Sequence, residues 1–211
     1  MGLLGDSAMA TVRLYGAATG NCRRAAIALE EAGISYSVIR VDPRAGEHKT
    51  AAFRTLNPRG LVPVMVEARN AQPDLVLTQS NAIMLHATSR SRERLMPDAG
   101  PAASLFFDRL FYSITKVIAP SGSAFSLTQD GHKHSAGLLA RCSIEALAQA
   151  EELLSDAPYM TGDSFTLADI AAYTSVFAAR HDLDWTRLPL LAAWYARINT
   201  RPAVIRGMGA F

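Results

Sequence analysis

The strongest constraint in this chain is the order strand, helix, strand within residues 11–41. Residues 11–16 alternate, carry a β-branched pair and an aromatic, and stop at Gly16, the pattern of a short strand. From Asn21 the spacing becomes helical, with Ala25, Ala26, Ile27 and Leu29 apolar, Glu30 and Glu31 polar, and Gly33 just past the helix end. Residues 36–41 read as a second strand closed by Asp42 and Pro43. A helix of this length between two strands makes a crossover, and a crossover forces the strands to lie parallel with right-handed connection.

Further along, residues 48–56 predict a short helix ended by the turn formers Asn57, Pro58, Arg59 and Gly60. Two apolar runs, 62–66 and 75–77, are separated by a polar loop and read as a β-hairpin, and a helix begins near Gln79. Pro63 stands inside the first run, where proline marks a sheet edge or a cis bond that frees a backbone edge for a ligand. Periodicity is lost between 89 and 104 among turn formers, which places a linker there. Beyond it four helical patterns follow, about 103–118, 132–155, 167–181 and 188–199, with no convincing strand. The expected organisation is an α/β domain at 9–88, a linker at 89–101 and an all-α domain at 102–211.

Composition removes several classes of function. With 49% hydrophobic and 19% charged residues the chain is not intrinsically disordered, and a formal charge of +2 with scattered basic residues argues against nucleic acid as a partner. No apolar run reaches the roughly 18 residues of a membrane span. Residues 1–8 have no basic n-region and make a poor signal peptide, so they read as an extension. Cys22 and Cys142 are 120 positions apart, which fits neither a disulfide framework nor paired metal ligands. His132 and His134 face opposite sides of a helix, and no metal site is expected. A reducing, cytoplasmic location is the expectation.

Several motifs carry a resemblance that covers nearly the whole chain from about residue 11. They are the strand-loop-helix start 14–22, the helix and exit 27–36, the loop 57–64, the segment 78–83, and Ser164 to Ile170. Together they resemble the cytosolic glutathione transferases, whose N-terminal half is thioredoxin-like and whose C-terminal half is helical. In that family the residue before the cis-proline, Val62 before Pro63 here, pairs backbone to backbone with the cysteinyl part of glutathione. The resemblance assigns the γ-glutamyl carboxylate to Gln79 and Ser80, at a helix N-terminus where free N–H groups and the dipole favour an anion. Read from the residues alone, the same pair is an ordinary N-cap. Thr166 followed by Asp169 is a reciprocal cap and is assigned to folding, as is Pro63.

Thr19, Gly20 and Asn21 resemble the Thr-Pro-Asn of the nu-class bacterial enzymes, as does the stretch 46–49 with His48 near the glycine carboxylate. Thr19 and Asn21 are thereby implied as the catalytic groups: a hydroxyl and an amide that donate to sulfur, helped by the helix N-terminus, stabilise a thiolate without a proton acceptor. Two alternatives stay open, the Tyr15 hydroxyl and a mixed-disulfide role for Cys22. His48 is equally readable as a surface residue. At Leu61, where the family commonly keeps a cation or glutamine for the glycine carboxylate, this chain departs from the pattern, and Arg59, His48 or Lys49 would have to compensate.

Arg109, Tyr112, Ser113 and Lys116 share one face of the first helix after the linker, opposite Phe106, Leu110, Ile114 and Val117. That face is either a solvated stripe or, with Tyr15, a wall of the second-substrate pocket. The resemblance implies a transferase with glutathione as co-substrate, no permanently bound cofactor, and a small hydrophobic electrophile or disulfide as partner. Its rivals are a glutathione-dependent disulfide-bond reductase and a non-enzymatic glutathione-cleft binding or regulatory protein. A homodimer is expected, with arginines 90, 92 and 94 available for pairs between subunits.

Overall fold

A computed structural model describes residues 11–91 and 94–211, so the extension at 1–8 and Arg92 lie outside the described residues. Strand β1 (Val12–Gly16) runs parallel to β2 (Tyr36–Arg40), with Val12 opposite Tyr36 and Gly16 opposite Arg40. Helix α1 (Gly20–Glu31) makes the crossover. Strands β3 (Val64–Glu67) and β4 (Leu75–Leu77) form the hairpin, and β3 pairs antiparallel with β1, placing Tyr15 opposite Val64. The sheet order is β2-β1-β3-β4. The short helix expected at 48–56 divides into a 3-10 turn at Glu47–Lys49 and α2 (Ala51–Leu56), and α3 (Ser80–Thr88) closes the unit.

Alternation along β1 sends its residues to two separate cores. Leu14 faces α1 and α3 and joins the main cluster with Ile27, Leu29, Met65, Ile83 and Met84, which continues into the helical half through Phe106, Leu110, Ile170 and Trp194. Tyr15 faces the other way and packs on Val41, Phe53, Val64 and Val66 under α2. Glu67, buried at the end of β3, is paired within the chain with His86 at 2.8 Å and with Arg90, and Arg94 pairs with Asp98. Both arginines thus have partners of their own rather than waiting for a second subunit.

In the helical half the expected helix at 103–118 begins earlier and does not stop. Helix α4 (Gly100–Tyr112) passes through a π-helical stretch, Ser113–Ile118, into α5 (Ala119–Gln129). Pro120 offers no N–H, and Ala119 N–H bonds back to Ile114, five residues away. Widening the turn absorbs a proline that reads in the sequence as a stop, while Ser143 donates to the Val117 carbonyl at 3.0 Å. Helix α6 (Lys133–Gln149) is shorter than expected, and α7 (Leu167–Ala179), α8 (Pro189–Asn199) and the unforeseen α9 (Pro202–Met208) follow.

Helix α7 is held by a complete capping box. Asp169 is fully buried and accepts from Thr166 N at 2.9 Å, Thr166 Oγ1 at 3.2 Å, Met160 N at 2.9 Å and Trp194 Nε1 at 2.8 Å. Burial pushes its carboxyl up, and these four donors oppose that. Helix α9 lies so close to α1 that a Cβ on Gly207 would come within 2.6 Å of the Ile27 backbone, and Arg201 and Arg206 clamp it through Glu31 and Glu30. No helix among the described residues is long and apolar enough to cross a membrane.

Candidate glutathione site

Three segments converge at the C-terminal end of β1. The first is the start of α1. Thr19 is extended at φ −110° and ψ 157°, and its Oγ1 accepts from Cys22 N at 3.3 Å, so this hydroxyl has its own hydrogen left to give. Asn21 is exposed, with Oδ1 accepting from Arg24 Nη1 at 2.7 Å. Because a guanidinium only donates, the Asn21 oxygen faces inward and its NH2 faces away.

Cys22 is completely buried and its Sγ accepts from Ala17 N at 3.5 Å. Burial pushes its thiol up, against smaller opposing contributions from Thr19 and Ala17. The Phe211 ring and Cys22 Sγ both approach Gly16 so closely that a Cβ there would meet them at 2.7 and 2.9 Å. A thiol sealed in this way has neither the access nor the thiolate character of a redox cysteine.

The second segment is the loop before β3. Buried Asn57 braces it by donating from Nδ2 to the Leu61 carbonyl at 2.7 Å and accepting from Arg59 N at 3.2 Å. Gly60 at φ +61° lies against the His48 carbonyl, where a Cβ would come within 2.7 Å, so only glycine allows the contact. His48 is half-buried, and its Nδ1 is buried with no partner among the described residues. The Val62–Pro63 peptide is cis, and sheet pairing begins only at Val64, which leaves the Val62 N–H and C=O outside the ladder. Leu61 is 54% exposed, so no cation stands at that position.

The third segment is the start of α3. Gln79 is the N-cap residue but makes no side-chain cap bond, so the first N–H groups of α3 are open. Oriented by its partners, the Gln79 amide oxygen accepts from both terminal nitrogens of Arg59, at 2.9 and 3.0 Å, and Arg59 also donates to Thr78 at 2.9 Å. Arg59 is thus engaged with Gln79 and Thr78. Ser80 is 6% exposed and its Oγ accepts from Arg24 at 3.2 Å.

Thr19, Asn21, Leu61, Val62, Gln79 and Ser80 lie on these three segments, and His48 lies on the Glu47–Lys49 turn packed against Gly60. Among the described residues, those expected to wall a second-substrate pocket do not join them through any hydrogen bond. Tyr15 is packed in the core under α2. Tyr112 gives its hydroxyl to the Ala146 carbonyl of α6 at 2.7 Å, and Arg109 pairs with its neighbour Asp108. Ser113 is also turned inward, on the Arg109 carbonyl. Sequence reasoning missed Arg24, Asn57 and Thr174. The first had a visible signal: Arg24 precedes Ile27 and Ala28 by three and four residues and so occupies the buried stripe of α1. Among the described residues no cluster of three or more His, Cys, Asp or Glu forms a metal site.

The fold and this cleft define a thioredoxin-like domain with an open strand edge and two helix N-termini, joined to a helical domain. Residues 20–90 match the glutathione S-transferase N-terminal domain and residues 141–197 the glutathione S-transferase C-terminal domain. The chain is 30% identical to glutathione S-transferase 3 of Zea mays over 225 residues, covering 96% of this chain and 95% of that one. It is 28% identical to the disulfide-bond oxidoreductase YfcG of Escherichia coli K12, covering 91% and 92%. The glutathione-bound structure of the theta class glutathione S-transferase from Xanthomonas axonopodis pv. citri superposes with a TM-score of 0.81 at 30% identity, covering 95% of this chain and 98% of that one. The chain belongs to the glutathione S-transferase family.

Proposed function

We propose that this protein is a glutathione transferase in which Thr19 and Asn21 stabilise the glutathione thiolate, Val62 pairs with the cysteinyl backbone, and Ser80 with the open α3 N-terminus takes the γ-glutamyl carboxylate. The observation that carries this reading is the convergence of donors: a threonine hydroxyl already accepting from its helix, an amide turned outward by Arg24, and an uncapped helix start, all beside a free strand edge. The thiolate attacks a small hydrophobic electrophile, a carbon–sulfur bond forms, and the leaving group departs with the electron pair. His48, with an unpartnered buried nitrogen, is assigned to the glycine carboxylate that Leu61 cannot meet.

We place the protein nearest the nu class, of bacterial origin, cytoplasmic and homodimeric, with domains at 9–88 and 102–211 joined by the linker 89–101. The relation to YfcG favours a second activity, disulfide reduction, in which two glutathiones supply the electrons and leave as glutathione disulfide while a substrate disulfide becomes two thiols. The sealed Cys22 fits that route because it keeps the enzyme's own sulfur out of the exchange. Steady-state assays with an aromatic halide and with a small mixed disulfide, run side by side, test both. Turnover of neither, with glutathione bound, would leave a binding protein.

A further inference from the structure

Arg24 is 2% exposed, yet among the described residues no carboxylate lies within ion-pair distance of it. Its Nε and Nη2 donate to Thr174 Oγ1 of α7 at 3.2 and 3.0 Å, and its Nη1 donates to Asn21 Oδ1 at 2.7 Å and Ser80 Oγ at 3.2 Å. All of these acceptors are neutral. A buried guanidinium without a counter-charge is costly, and desolvation pulls its pKa down to about 10. The titratable group facing it is Cys22, on its own helix, while α3 presents Ser80 and α7 presents Thr174, neither of which titrates. By contrast Arg201, only partly buried, has Glu31 at 2.7 Å.

The bonds around Arg24 have a direction that matters. Since the guanidinium accepts nothing, Asn21 must offer its oxygen and keep its NH2 free, and Ser80 must accept on Oγ and keep its O–H free. These are the side chains at the starts of α1 and α3. We propose that Arg24 is a positioning residue for glutathione: it holds Asn21 and Ser80 as outward donors and supplies, from beneath, the positive charge whose counter-ions are the ligand's thiolate and γ-glutamyl carboxylate. Thr174 fixes the guanidinium from the helical half, so the thiol site is completed across the two parts of the chain. The role rests on the glutathione reading above.

The test compares Arg24→Met, Arg24→Lys and Thr174→Val with the unmodified protein, using calorimetric titration of glutathione and the ultraviolet absorbance of the bound thiolate against pH. Arg24→Met should weaken glutathione binding about tenfold to a hundredfold and raise the bound thiol's pKa by about one unit, the scale of a charge-assisted hydrogen bond. Arg24→Lys, which keeps the charge, should recover most of the pKa effect but less of the affinity. Asn21→Ala should cost much less in the Arg24→Met background than alone, because Arg24 acts through Asn21. A folded Arg24→Met with unchanged titration, or additive effects in that cycle, overturns the role. Should Arg24→Met fail to fold, the cycle is run with Thr174→Val in its place, which removes only the anchor, and additivity there overturns it equally. No glutathione binding by the unmodified protein overturns the underlying reading instead, and is seen before any variant is made.

Discussion

Helices α1 and α7 both begin with a threonine N-cap whose hydroxyl accepts from its own helix, Thr19 and Thr166, and the two ends do opposite work. The residue three positions on decides which. At α7 it is Asp169, which returns a bond to the cap residue and also takes Met160 N and Trp194 Nε1, so every donor nearby is used inside the protein. At α1 it is Cys22, which cannot reciprocate, and the Thr19 hydroxyl hydrogen and Asn21 NH2 stay available. A closed cap is a fastening; an open one at a cleft is a binding site for an anion.

The largest effect expected is at the closed cap. Asp169→Ala strands four donors, two of them from Thr166, and should cost roughly 3–5 kcal/mol in urea unfolding. A loss below about 1 kcal/mol would break the contrast, since such a cap would then be no stronger than an ordinary exposed one.

Thr19→Ala should do the reverse, costing only about 1 kcal/mol of stability as a lost cap but raising the bound thiol's pKa by about one to two units. Thr19→Ser should keep both properties. An unchanged thiolate titration in Thr19→Ala removes Thr19 from the mechanism and returns the question to Cys22.

Ser80→Ala sharpens the picture at the neighbouring helix start. It should raise the KM for glutathione about tenfold, as expected for one hydrogen bond to a carboxylate, with kcat at saturation nearly unchanged. A fall in kcat with unchanged KM would place Ser80 at the sulfur instead.

The smallest change is expected for Cys22→Ala. Losing a buried sulfur costs about 1 kcal/mol of packing, and turnover with both the aromatic halide and the disulfide should persist. Collapse of disulfide turnover alone, in a folded variant, would show that the thiol is reached after all and that α1 opens during the reaction.

Much of this was readable because the controlling signals are local. The alternation in residues 11–16, the helical spacing after Asn21 and the pair Thr166 and Asp169 each lie within a few positions, and each produced β1, α1 and the α7 cap. Pro63 was marked by standing in an apolar run. Local signals fell short after residue 118, where the helix runs on past the helix-breaking Pro120 through a π turn, with α6 alongside and Ser143 bonded to the Val117 carbonyl. Helix α9 is only seven residues long and depends on contact with α1 and two arginine–glutamate pairs rather than on its own periodicity.

The sequence by itself determined the crossover unit, the helical second half, the loop before Pro63 and the residue types at each helix start, because backbone preference and side-chain period act over one or two turns. Only the tertiary structure decided which of those residues come together at one cleft. Asn21 and Ser80 are 59 positions apart, and the arginine that bonds to both is anchored 150 positions away at Thr174. Tyr15 and Tyr112 carry hydroxyls as suitable as that of Thr19, but one packs under α2 and the other is committed to α6. Bond direction at a buried guanidinium depends on what surrounds it in space, and no pattern along the chain records that.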